Sequence, residues 1–166
     1  MLPAKTLSIP KIVLMPGDLH MSETPVRLET LVGSCLAVTY YAPLTQWGAM
    51  CHAVMPKGEI GGRYVNMALT QMWQWFSERG VLPGQLEVRL FGGGDVLLAD
   101  LLPGPSIGQR NIREAWNILA RLGLSIKGGH MGGAQGRKIS FHTHSGELTV
   151  KLVPTLQQTL EKYNCK

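Results

Sequence analysis

Cys35 in "TLVGSCLAV" and His52 in "GAMCHAVMP" are the two residues of this chain whose types suit covalent chemistry. A thiolate attacks carbonyl carbon, and a nearby imidazole can take the thiol proton and later hand it to a leaving group. Gly33 and Ser34 precede the cysteine, so the backbone can turn sharply and present amide N–H groups near the sulfur. Amides around Gly33, Ser34 and Leu36 are candidates to hold a developing oxyanion. Cys51 adjoins His52, yet adjacent side chains on a strand point to opposite faces, which favours Cys35 as the partner. Both cysteines also suit a plainer role as small buried side chains. The residue types alone leave these alternatives open.

Positioning Cys35 against His52 falls to the elements around them. "CLAVTYY" (35–41) is rich in β-branched and aromatic residues, and "APLTQ" turns it into "WGAMCHAVM" (47–55), which predicts an antiparallel hairpin. Such a hairpin brings the start of one strand beside the end of the next, and so Cys35 beside His52. "KIVLM" (11–15) reads as a further short strand closed by Pro16 and Gly17. A helix is expected over about 64–79, where Met67, Ala68, Leu69, Met72, Trp75 and Phe76 recur at helical spacing before Gly80. "LEVRLFGG" (86–93) predicts a strand with Leu86, Val88 and Leu90 on one face. A second helix is expected over about 111–122, with an apolar stripe of Ile112, Ala115, Trp116, Leu119 and Ala120. "LSIKGGH", "RKISFHT" and "ELTVKLV" predict closing strands, and 153–166 is a tail or short helix holding Cys165. The order implies an α+β fold, a mostly antiparallel sheet system packed on two main helices.

Other chemistries have weaker support. His142 and His144 would share one face of an extended strand, a spacing compatible with a metal pair, but a third ligand is not evident. His20 and His130 fall in polar or glycine-rich loops. "FGGGDVL" and "GGHMGGAQGRK" match neither phosphate-binding pattern, and turns or close backbone packing explain them better. No metal and no cofactor is expected.

The 166 residues fit a single domain, 1–166, with 45% hydrophobic and 16% charged residues. The net charge of +5 suits an acidic partner, but the basic residues are dispersed without interleaved aromatics, which argues against nucleic acid. Pro10, Lys11 and Pro16 interrupt any signal-like apolar stretch, and no run approaches the roughly 20 residues of a spanning helix. Three cysteines without metal-knuckle spacing fit a reducing cytoplasm.

Six ordered blocks extend these observations: "TLVGSCLAV" (30–38), "GAMCHAVMP" (48–56), "RYVNMAL" (63–69), "VRLFGGGDV" (88–96), "IGQRN" (107–111) and "GGAQGRKISFHTHSGELTVK" (132–151). Over about 12–152 the chain resembles the CheD family, the chemoreceptor glutamine deamidases of bacterial and archaeal chemotaxis. The resemblance implies a β-sandwich flanked by helices, like the cysteine hydrolase fold of the cytotoxic necrotizing factor toxins. It implies hydrolysis of selected glutamine side chains to glutamate on methyl-accepting chemotaxis receptors, with release of ammonia. The family nucleophile falls on Cys35 and its histidine on His52. Its threonine falls most naturally on Thr30, although some members carry it one residue earlier, where Glu29 stands here; a one-residue shift on a strand reverses the side-chain direction. Lys57 and Arg63, on the loop after His52, are candidates for binding an acidic receptor face. Family members also bind CheC, a phosphatase of the response regulator, so a regulatory binding module with little or no deamidase activity is the alternative.

Overall fold

The computed structural model describes residues 8–96 and 103–164, so Cys165 lies outside the described residues. It is an α+β fold with two mixed sheets. One has the order β1 (Lys11–Val13), β3 (Arg27–Val32), β8 (Arg137–His142), β9 (Leu148–Leu152). The other has the order β2 (Leu19–Ser22), β5 (Trp47–Ala53), β4 (Leu36–Ala42), β6 (Glu87–Gly92), β7 (Ile126–Met131). Among the described residues the pairings are antiparallel except β1 with β3 and β6 with β7. The helices are α1 (Val65–Glu78), α2 (Ile107–Leu122) and α3 (Leu156–Asn164).

Side-chain alternation in the five-stranded sheet produces two cores. Leu36, Val38, Tyr40, Ala49, Cys51, Ala53, Val88 and Leu90 point to the face covered by α1 and α2. Ala37, Met50 and Phe91 point the other way, where they meet Leu28, Val32, Ile139 and Phe141 of the four-stranded sheet. Covered on both faces, β4 is buried almost throughout. That is why "CLAVTYY" reads as a continuous apolar run rather than an alternating one.

Several expectations need correction. Strands β2 and β3 fall where the pattern gave no strand, because each is short and carries polar residues such as His20 and Glu29. His20 therefore lies in a strand rather than a loop, and His130 lies in β7, the strand expected from "LSIKGGH". Gly129 in that strand has φ +143°, and a Cβ there would collide with the Leu90 carbonyl, so close strand approach explains the glycines. Helix α2 begins four residues earlier than expected: the Ser106 hydroxyl accepts from the Gln109 N–H (3.1 Å), while the Gln109 side chain accepts from the Ser106 N–H (3.0 Å). Its buried face is Asn111, Glu114, Ala115, Ile118 and Leu119, a rotation of the expected stripe that leaves Trp116 51% exposed. His142 and His144 do not share a strand face, because β8 ends at His142 and a turn follows.

Candidate active site

The hairpin of β4 and β5 pairs Ala37 with His52 and Leu36 with Ala53, which sets Cys35, one residue before β4, at the same end of the ladder as His52. Parity then sorts the side chains. Cys35 packs at the edge of the core between the sheets, whereas Cys51 is fully buried on the helix-covered face. Burial pushes the Cys51 thiol up to about 12, so this sulfur is an inert core atom.

Across the inter-sheet core, β3 presents Leu28, Thr30 and Val32 inward and Glu29 outward. The Thr30 hydroxyl lies 2.7 Å from His52 Nδ1 and donates to the Leu14 carbonyl at 2.8 Å. A hydroxyl has one proton. With that proton on Leu14, Nδ1 must be the donor to Thr30 Oγ1, and the free lone pair of the ring is fixed on Nε2. Nε2 is buried and has no hydrogen-bond partner among the described residues. Glu29, at the position where some family members carry the threonine, instead faces Lys11 (3.6 Å) and Arg27 (4.0 Å), away from His52.

Electrostatics set the resting protonation. Burial pushes the Cys35 thiol above its ordinary value, opposed by the Arg63 guanidinium and by the cysteine's own backbone amide. Burial likewise lowers His52, opposed by the Leu14 carbonyl and the Asp18 carboxylate. Both net shifts disfavour a thiolate facing an imidazolium. Burial thus favours the uncharged form of each group. Alkylation of Cys35 by iodoacetamide should accordingly rise with pH beyond the ordinary thiol value of about 8.5. A rate already on a plateau at pH 6–7 would show a preformed ion pair instead.

The "GSC" turn is held through its carbonyls. Gly33 O accepts from Gly94 N (2.9 Å), Cys35 O from Gly93 N (2.8 Å), and Ser34 O from the Asn111 side chain (3.0 Å). Gly92 has φ +103°, and a Cβ there would collide with the Cys35 carbonyl, so this glycine permits the approach of its loop to Cys35. Neither the Ser34 nor the Cys35 N–H is committed to a backbone hydrogen bond among the described residues. Leu36 lies within the β4 ladder, its side chain on the helix-covered face.

The two candidate binding cations separate. Arg63 is exposed and acts electrostatically on Cys35, whereas Lys57 turns to α2 and lies 3.6 Å from the buried Glu114 carboxylate. Asn111 escaped the sequence reading, though it is a polar residue in register with Ala115 and Leu119 on the buried face of α2. The Leu14 carbonyl, a backbone group, left no signal.

A family model described as CheD chemotactic sensory transduction matches residues 54–152. "Probable chemoreceptor glutamine deamidase CheD 2" of Geobacter sulfurreducens is 38% identical over 150 residues, covering 89% of this chain and 93% of that protein. "Probable chemoreceptor glutamine deamidase CheD 3" of Dechloromonas aromatica is 31% identical, covering 83% and 85%. The corresponding protein of Pseudomonas fluorescens is also 31% identical, covering 90% and 89%. A crystal structure of a Neisseria meningitidis protein from family DUF152 aligns with TM-score 0.47 and 16% identity, over 76% of this chain and 63% of that one.

Proposed function

The chain belongs to the CheD family, and we propose on that footing that it deamidates glutamine side chains of chemoreceptors, with Cys35 as nucleophile and His52 as general base and acid. The observation that carries this reading is the 2.7 Å contact of Thr30 with His52 Nδ1, which leaves Nε2 open at the end of the ladder where Cys35 stands. Nε2 accepts the thiol proton as sulfur bonds to the carboxamide carbon, and the carbonyl electron pair moves onto oxygen. Collapse of this intermediate breaks the C–N bond, with the proton on Nε2 passing to nitrogen so that ammonia leaves. Water adds to the thioester, giving a proton to Nε2; the thiol departs with that proton and glutamate remains.

The same proposal takes 1–166 as one deamidase domain, working in the cytoplasm without metal or cofactor. It adopts the β-sandwich of the cytotoxic necrotizing factor type, which the core shared by the two sheets supports. No described helix is long and apolar enough to cross a membrane.

Intact and peptide mass spectrometry of a receptor cytoplasmic fragment tests the reading. Each converted glutamine should add about one mass unit, as amide hydrolysis by a cysteine nucleophile requires. A folded wild type that changes no glutamine would sink the deamidase reading and leave the regulatory module, with a CheC-type phosphatase as partner.

Two further variants follow from the geometry. Thr30→Val keeps the shape of the side chain but removes the acceptor for Nδ1–H. Its kcat should fall roughly 10- to 100-fold, at or below the lower end of general acid–base contributions, since the imidazole itself remains. An unchanged kcat would mean that Leu14 alone holds the ring. Neutralising Arg63 and Lys57 together should weaken receptor binding and flatten its salt dependence. Arg63→Ala alone should also move the alkylation profile of Cys35 to higher pH, since Arg63 favours the thiolate.

A further inference from the structure

Asn111, fully buried on α2, spends both hydrogens of one amide group on the site: Nδ2 donates to Ser34 O at 3.0 Å and to Val54 O at 3.0 Å. The first acceptor belongs to the turn that carries the nucleophile, and the second lies two residues after His52. The Oδ1 atom of the same side chain is buried and has no partner among the described residues. Leaving an acceptor unpaired costs about 1–3 kcal/mol. A leucine would fill similar space without this cost, so the donors are what the amide contributes.

The consequence for the turn follows from peptide geometry. In a planar trans peptide the C=O and the next N–H point in opposite directions. The Ser34 carbonyl faces α2, on the helix-covered side of the sheet. The Cys35 N–H of the same peptide therefore faces the other side, where the Cys35 side chain packs and where Thr30 holds His52. The cysteine's own amide also favours its thiolate, which agrees with an N–H aimed at the sulfur's side. That N–H enters no backbone hydrogen bond among the described residues.

We propose that Asn111 is a positioning residue: by pulling the Ser34 carbonyl toward α2 and tying it to the strand end beyond His52, it aims the Cys35 N–H at the oxyanion formed during amide hydrolysis. This rests on the deamidase reading. The carbonyls on either side are fixed by backbone amides of Gly94 and Gly93, which any substitution outside the glycine loop leaves in place. Only the central one depends on a side chain.

The test compares wild type with Asn111→Ala and Asn111→Leu in deamidation of a receptor fragment, iodoacetamide alkylation and thermal melting. Alkylation displaces iodide at a saturated carbon and forms no oxyanion, so it reports the thiol without the donor. Expected is a kcat lower by about 10- to 100-fold, at or below the cost of deleting an oxyanion donor outright. KM and the alkylation rate with its pH profile should stay within about twofold. Full kcat in a folded variant, or a parallel loss of alkylation, overturns the proposal. Should neither variant fold, wild type labelled with nitrogen-15 is treated with a receptor peptide whose target glutamine bears a side-chain aldehyde in place of the amide. Thiol addition to the aldehyde puts the S–C bond and a tetrahedral oxygen in the site, and the Cys35 amide proton should move downfield; no movement on a formed adduct overturns the proposal. Wild type that releases no ammonia removes the deamidase reading itself, a result distinct from an active wild type and an equally active variant.

Discussion

Cys35→Ala should abolish deamidation, with a fall in kcat on the order of 10⁴-fold or more, as loss of a covalent nucleophile produces elsewhere. The variant should remain folded and still bind the receptor fragment. Cys35 is only partly buried at the edge of the inter-sheet core, so trimming its sulfur opens no large cavity. Equal receptor affinity with no mass change separates lost chemistry from lost fold. The same substitution at Cys51 should behave in the opposite way. That sulfur sits in the core against the helices, so Cys51→Ala should lower the melting temperature and spare kcat in the folded fraction. Deamidation that survived Cys35→Ala would point to a different nucleophile and refute the assignment.

His52→Ala should lower kcat by roughly 10³- to 10⁴-fold, the upper part of the range for general acid–base catalysis, since one imidazole serves both halves of the reaction. Its second signature is pH dependence. On the proposed mechanism the acid limb of kcat/KM in the wild type should report the neutral His52 needed to accept the thiol proton, and burial lowers this group. The limb should consequently fall below the ordinary histidine value of about 6.5. In His52→Ala that limb should vanish, and residual alkylation of Cys35 should climb about tenfold per pH unit until the thiol ionises. A wild-type limb above the ordinary histidine value would mean that the Asp18 carboxylate and the Leu14 carbonyl outweigh burial.

The hairpin is the part of the site that the sequence specified most directly. β-branched and aromatic residues from 36 to 41, a short polar turn and a second apolar run determine an antiparallel pair, and the pair determines that positions 35 and 52 meet. The period of two on β5 likewise decides that Cys51 and His52 diverge. Helix α1 was equally legible, because Ala68, Leu69, Met72 and Phe76 all lie on its buried face.

Strand β3 was not legible, and with it went the choice between Thr30 and Glu29. The register of β3 against β8, whose residues Leu31 and Lys138 pair across 107 positions of sequence, fixes which of two adjacent side chains enters the core. No local pattern contains that register. Asn111 was hidden for a related reason: its partners Ser34 and Val54 lie 77 and 57 residues away. The upward shift of the Cys35 thiol and the downward shift of His52 come from burial, which both sheets and the loops create together. The sequence by itself determined the hairpin that sets Cys35 and His52 at one end of a strand pair, since this follows from residue type and short-range periodicity. Only the tertiary structure decided which side chain meets His52 Nδ1, what holds the turn and which way burial shifts Cys35 and His52, because each depends on contacts across long loops and on exclusion of water.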